Sequence, residues 1–147
     1  MTEGTTAAVH GRRGADRLRS VLAPLGVAAV TGAAFAFVGA VDPNQPGHYP
    51  TCPFLFLTGL YCPGCGTLRA MHALAHADPV TALGLNPLAV ATIPFLLFWW
   101  GRWAVRSWQG RPARTDLANP IYLWAFLALV IVYWVVRNLP FGRFLAP

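Results

Sequence analysis

Three long apolar runs alternate with polar, turn-rich connections along the chain. The first run, VLAPLGVAAVTGAAFAFVGAV from Val21 to Val41, carries no charge. At helical rise it covers about 30 Å, the thickness of a bilayer's hydrocarbon core. Pro24 is expected in its first turn, where the missing N–H costs little. The second run follows Asn86-Pro87, a favoured N-cap and first-turn pair, and reads LAVATIPFLLFWWGRWAVRSW, with a kink expected at Pro94. The third, IYLWAFLALVIVYWVV, repeats the Asn-Pro start at Asn119-Pro120 and closes on Arg137. Between the first two runs, Phe54 to Tyr61 is apolar but too short to span. It is expected to lie in the membrane interface, or to dip in and return. A shorter helix is predicted from Thr67 to about Ala77, ended by Asp78-Pro79. On a helical projection Leu68, Met71, Leu74 and Ala75 form its apolar side, and Cys65, Arg69, His72 and His76 share one polar sector.

These patterns predict an all-α integral membrane protein. It has three transmembrane helices, with an interfacial Cys-containing turn and an amphipathic helix between the first and second. The expected segments are a disordered cytoplasmic tail over 1–20, transmembrane helix 1 over 21–41, and a Cys/His/Arg segment over 42–85 with its interfacial helix at about 67–77. Transmembrane helix 2 follows over 87–108, a cytoplasmic loop over 109–118, transmembrane helix 3 over 119–137 and a C-terminal tail over 138–147. The tight second connection predicts that helices 2 and 3 pair as an antiparallel hairpin. A cleavable signal peptide is the rival reading of the first run, because Val38-Gly39-Ala40 resembles a cleavage site. The run is longer than the usual signal-peptide core.

Composition supports lipid as the solvent. Of 147 residues, 56% are hydrophobic and only 11% charged, where soluble domains carry about 25% charged residues. The formal net charge is +6, and every basic residue is Arg. No basic groove interleaved with aromatics is present, so nucleic acid is not an expected partner. The arginines instead report orientation. Eight lie in the N-terminal tail and around the second connection, and three lie at Arg69, Arg137 and Arg143. Positive-inside asymmetry then places the N-terminus in the cytoplasm of a multi-pass protein, and the cysteine segment and C-terminus outside. Gly26, Gly32, Ala33, Ala36 and Gly39 would let another helix approach closely, so a membrane-protein partner or a homo-oligomer is expected beside the bilayer itself. Apart from Arg102, no ionisable group falls well inside a span, which argues against a stand-alone transporter.

The chemistry concentrates in Cys52–Asp78, which holds all three cysteines. In Cys62-Pro63-Gly64-Cys65-Gly66, Pro and Gly supply the dihedrals of a tight turn that aims two sulfurs at one place. This is the shape of a zinc knuckle and also of a redox dithiol. The metal reading takes Cys52, Cys62, Cys65 and His72 as ligands, with zinc the expected ion and His48 or water competing for the fourth place. The redox reading pairs Cys62 with Cys65, takes Cys52 as resolving thiol and has Arg69 stabilise thiolate. A purely structural role is the third reading, with the cysteines as packing or a single staple. An outward location favours oxidation; the turn and the odd number of thiols favour metal. No thioredoxin-like βαβ pattern surrounds the pair. Asp42 and Asp78 are the only outward carboxylates and no Ser/His/Asp arrangement is suggested, so hydrolysis is disfavoured and binding is preferred over catalysis.

Cys52-Pro53, Thr58-Gly59-Leu60, Cys62-Pro63-Gly64-Cys65-Gly66, Arg69-Ala70, Asp78 and Asn86-Pro87 together resemble a bacterial membrane-protein family known as domain of unknown function 2752. The likeness covers about Cys52 to Pro87 and continues loosely through the second run. The family pattern has a Thr directly before the Arg; here Leu68 stands there and Thr67 precedes it. The resemblance implies a small protein of the bacterial cell membrane, and implies no activity, substrate or cofactor.

Overall fold

The structure, a computed structural model, describes residues 3–45, 47–50, 52–110 and 120–146, with 3–19 and Arg143 described by backbone alone. Six α-helices run in order: α1 Glu3–Ala40, α2 Pro53–Thr58, α3 Thr67–Ala75, α4 Pro79–Leu85, α5 Pro87–Trp108 and α6 Pro120–Asn138, followed by a 3-10 turn over Pro140–Leu145. Three segments are long and apolar enough to cross a membrane: Ser20–Ala40, Pro87–Trp108 and Pro120–Asn138. Their large side chains are turned outward. Val30, Phe37, Leu96, Phe98, Leu123 and Trp124 are all exposed, an arrangement stable only where the surroundings are hydrocarbon. Most of the second connection, with Arg111 and Arg114, and Asn119 lie outside the described residues.

The chain divides into two compact units, Met1–Gly32 with Phe95–Thr115, and Ala33–Pro94 with Asp116–Pro147. In the first, α1 starts at Glu3, where a disordered tail was expected over 1–20. Ala7, Ala8, Arg12, Arg13 and Leu18 are strong helix formers and outweigh the glycines among them. Pro24 is therefore inside the helix rather than in its first turn. It is fully buried, and its carbonyl accepts a hydrogen bond from the Trp100 indole N–H at 3.1 Å. Ser20 Oγ donates to the Ser107 carbonyl at 3.0 Å. The Arg102 guanidinium lies 5.4 Å from the centre of the Trp99 ring, as expected of a snorkelling cation.

The second unit is built on small residues. Ala70, Ala73 and Ala82 form its buried centre, with Met71, Leu74, Leu85 and Val90 packed around them. α3 and α4 meet there. The sequence pattern treats Asp78-Pro79 only as a stop, but it is also a start. Asp78 Oδ1 accepts from the Thr81 N–H at 3.0 Å, which caps α4, and Pro79 occupies the first turn. α3 closes earlier than expected, at Ala75, with Ala77 in the left-handed region at φ 58° turning the chain. Gly39 of α1 sits so close to α3 that a Cβ would lie 3.0 Å from that of Ala75.

Gly142, in the turn after α6, is buried against that helix's end, and a Cβ on it would collide with the Val136 carbonyl. Gly142→Ala is therefore expected to cost about 1–3 kcal/mol, the usual range for overpacking. Gly26→Ala, with nothing within 4 Å of the new methyl, is expected to be neutral or slightly stabilising in a helix interior. Thermal unfolding of the two variants in detergent, followed by circular dichroism, separates these outcomes.

Candidate metal centre

Cys52 precedes α2, and Cys62 and Cys65 precede α3. Pro53 at the first position of α2 presets its opening turn. Gly59 ends the helix at φ 71°, its N–H bonded to the Leu55 carbonyl. Phe54 packs edge-to-face on Trp134 with ring centres 5.7 Å apart, while Phe56 and Leu57 stay exposed. The short apolar segment thus folds back as one helical turn and a half, and its two ends return to one place.

There the three sulfurs meet. Cys62 Sγ lies 3.1 Å from Cys65 Sγ and 3.5 Å from Cys52 Sγ. All three lie within 4.8 Å of one another and could hold a metal ion. None is joined in a disulfide. Three thiolates around one zinc at about 2.3 Å would stand roughly 3.8 Å apart, so the two pairs given, at 3.1 and 3.5 Å, would each widen by less than about 1 Å to take the ion. Burial pushes the Cys65 thiol up to about 12, helped by its hydrogen bond with Cys62. Cys52 is held below the ordinary thiol value by hydrogen bonds from the Leu55 backbone and the Cys62 side chain.

The knuckle is clamped from behind by three side chains. Asn86 is almost fully buried. Its amide nitrogen reaches the carbonyls of Pro63 at 3.0 Å and Cys65 at 3.2 Å and the Thr67 hydroxyl at 3.1 Å. Its oxygen caps α5 through the Ala89 N–H at 3.0 Å and accepts from the Tyr133 hydroxyl at 3.2 Å. Arg137, 1% exposed, donates to the carbonyls of Cys62 at 3.3 Å, Cys65 at 2.9 Å and Leu85 at 3.2 Å. Its guanidinium lies between the rings of Tyr61 and Tyr133, 5.8 and 5.5 Å from their centres. Asn138 pairs reciprocally with the Tyr61 backbone, N–H to side-chain oxygen and side-chain N–H to carbonyl, both at 2.9 Å.

The structure gathers the predicted ligands Cys52, Cys62 and Cys65 and leaves His72 apart from them. The His72 Nδ1–H donates to the Val38 carbonyl at 2.8 Å, and Nε2 faces Asp42 at 3.8 Å. The helical projection that joined His72 to Cys65 does not extend that far, because Gly66 at φ 83° breaks the helix between them. His76 Nδ1–H donates to the His72 carbonyl at 2.9 Å, and its ring lies 4.4 Å from that of His72. His48 is exposed. Arg69 lines the same cavity as the three thiols. Arg137 and Asn138, which the sequence presents as the end of a span, were not anticipated as part of the site. An Arg-Asn pair closing an uncharged run was the only available signal.

Residues 52–100 match a family model described as "Protein of unknown function (DUF2752)". The match begins at Cys52 and bears out the resemblance carried by the cysteine motif. No curated protein and no solved structure matches the chain.

Removing Arg137 takes one donor from each of three carbonyls. Cys62 keeps the Cys65 N–H and Cys65 keeps Asn86, so the Leu85 carbonyl is the one left stranded, at a cost of about 1–3 kcal/mol. Arg137→Met is therefore expected to destabilise the protein by about 1–3 kcal/mol on that scale, read as a lowered unfolding midpoint in detergent. A smaller pH effect belongs to Asp78. Hydrogen bonds from the Thr81 side chain and backbone hold its carboxyl below the ordinary carboxylate value. Its contribution is complete above about pH 3.9, the unperturbed value, and disappears as pH falls through the lowered folded value. Asp78→Asn keeps a cap without the titration. The variant's acid-unfolding curve should therefore fall less steeply than that of the parent.

Proposed function

We propose that this is a small protein of the bacterial cell membrane with its N-terminus in the cytoplasm, carrying outside the bilayer a centre in which Cys52, Cys62 and Cys65 bind a thiophilic ion, zinc foremost. The observation that carries this reading is the convergence of three thiols from two separate turns within one ion's reach, on a knuckle clamped by buried Asn86 and Arg137. Thiolate donors select zinc and other soft ions. A lone structural disulfide would leave one gathered thiol without a purpose. Buried Arg137 also suits a thiolate–metal centre. Three thiolates and a divalent ion carry a net charge of −1, and no carboxylate among the described residues pairs with this cation.

The role that fits is a binding or structural one within a larger assembly. Gly26 and Gly32 of α1 border open space, and a partner helix or a second copy could approach closely there. One observation favours a second reading, a membrane thiol–disulfide oxidoreductase. Cys62 Sγ stands between the other two sulfurs, at 3.1 and 3.5 Å, as a thiol exchanging between two partners would.

Metal analysis of full-length protein purified from membranes without chelator decides between them. The expected result is one zinc per chain, with Cys52→Ser, Cys62→Ser and Cys65→Ser each losing most of it. Metal-free wild-type protein with two of its three thiols oxidised would sink the metal reading and support the redox one.

A further inference from the structure

The three sulfurs are not enclosed. They line a cavity of about 510 Å³ together with Tyr49, Tyr61 and Arg69. The knuckle's backbone is engaged by Asn86 and Arg137, neither of which lines that cavity. Among the described residues, no His, Asp or Glu joins the three thiols as a fourth donor. Structural zinc is held by four protein ligands, whereas three protein ligands leave a position that exchanges with small molecules. That position would open on the cavity.

Charge then says what kind of molecule belongs there. Three thiolates and a divalent ion sum to −1, which the buried Arg137 guanidinium offsets. Arg69 is the second cation of this unit at the site. It is part-buried in the cavity wall, with no hydrogen bond or ion pair to another described residue. An anion bound at the fourth position would restore the balance that Arg69 leaves open.

Building on the three-thiolate reading above, we propose that the centre keeps one coordination position for an exchangeable small anion, admitted through the cavity and held by Arg69. The anion replaces water on the ion and forms a charge-assisted contact with the guanidinium. The centre is thereby a ligand-binding site rather than a closed staple. Asn44 and Gln45, also in the lining, supply neutral polar groups.

The test uses full-length protein in detergent micelles loaded with Co2+, titrated with sodium azide and, separately, with neutral imidazole. Azide is expected to shift the visible ligand-field bands saturably. Arg69→Gln should still carry one Co2+ with its sulfur-to-metal charge-transfer band, and should bind azide about tenfold more weakly, the size of one charge-assisted contact. Its imidazole midpoint should not move, and Arg69→Lys should recover most of the azide affinity. In wild-type protein the azide midpoint should rise with inert salt while the imidazole midpoint stays fixed, which carries the same test if Arg69→Gln folds poorly. Bands that ignore both titrants would overturn the proposal while leaving the metal centre standing. An azide midpoint indifferent to both Arg69 and salt would overturn the role of Arg69. Failure of wild-type protein to develop a charge-transfer band would overturn the metal reading itself, and this proposal with it.

Discussion

A guanidinium cannot shed its proton under any ordinary condition, so an Arg placed in a dry interior must find oxygen atoms there. Arg137 finds them in the backbone. The Cys62, Cys65 and Leu85 carbonyls all turn toward it, and two tyrosine rings cover its faces. This one requirement ties the last turn of α6 to the knuckle before α3 and to the end of α4. The planar fork of Arg meets several acceptors at once, which a flexible ammonium does less well. The Cys62 and Cys65 carbonyls are thus held by Arg137 while the cysteines line the cavity.

Asn86 divides the same labour. Its oxygen caps α5 and its amide holds the knuckle, so one side chain both starts a membrane-crossing helix and positions a candidate ligand. The Cys65 carbonyl accepts from Asn86 and Arg137 alike and is the point where the two supports meet. The alanine centre formed by Ala70, Ala73 and Ala82 lets the short helices lie close together without bulky side chains. Precision at the sulfurs thus comes from hydrogen bonds to backbone, while the outward leucines and phenylalanines of the spans are left to lipid.

Much of this was legible in local pattern. Apolar runs of bilayer length, of which the second alone carries internal arginines, mark three segments fit to cross a membrane, Asn86-Pro87 marks the start of α5, and the Pro-Gly turn marks the pair of thiols. Those signals are local because helix propensity, capping and hydropathy are local. What escaped was long-range or depended on context. Arg137 looks like an interfacial charge until the fold buries it. His72 looks like a ligand when the helical projection is carried back across Gly66, whose left-handed backbone cancels the projection. Asp78-Pro79 looks like a stop because α4 is too short to show a period of its own. Pro24 looks like a first-turn proline because the polarity of the arginine-rich stretch before it hides that stretch's helix propensity.

The clamp also has a consequence in time. Arg137 lies 75 residues after Cys62 and 72 after Cys65. A ribosome adding about 5–20 residues per second exposes the cysteine turn several seconds before its support exists. During that interval the turn's carbonyls lack their cation and the three thiols lack a fixed arrangement. Completion of this arrangement waits for α6 to take its place. A chain whose α6 has not taken its place presents three cysteines, but not the arrangement that could hold an ion.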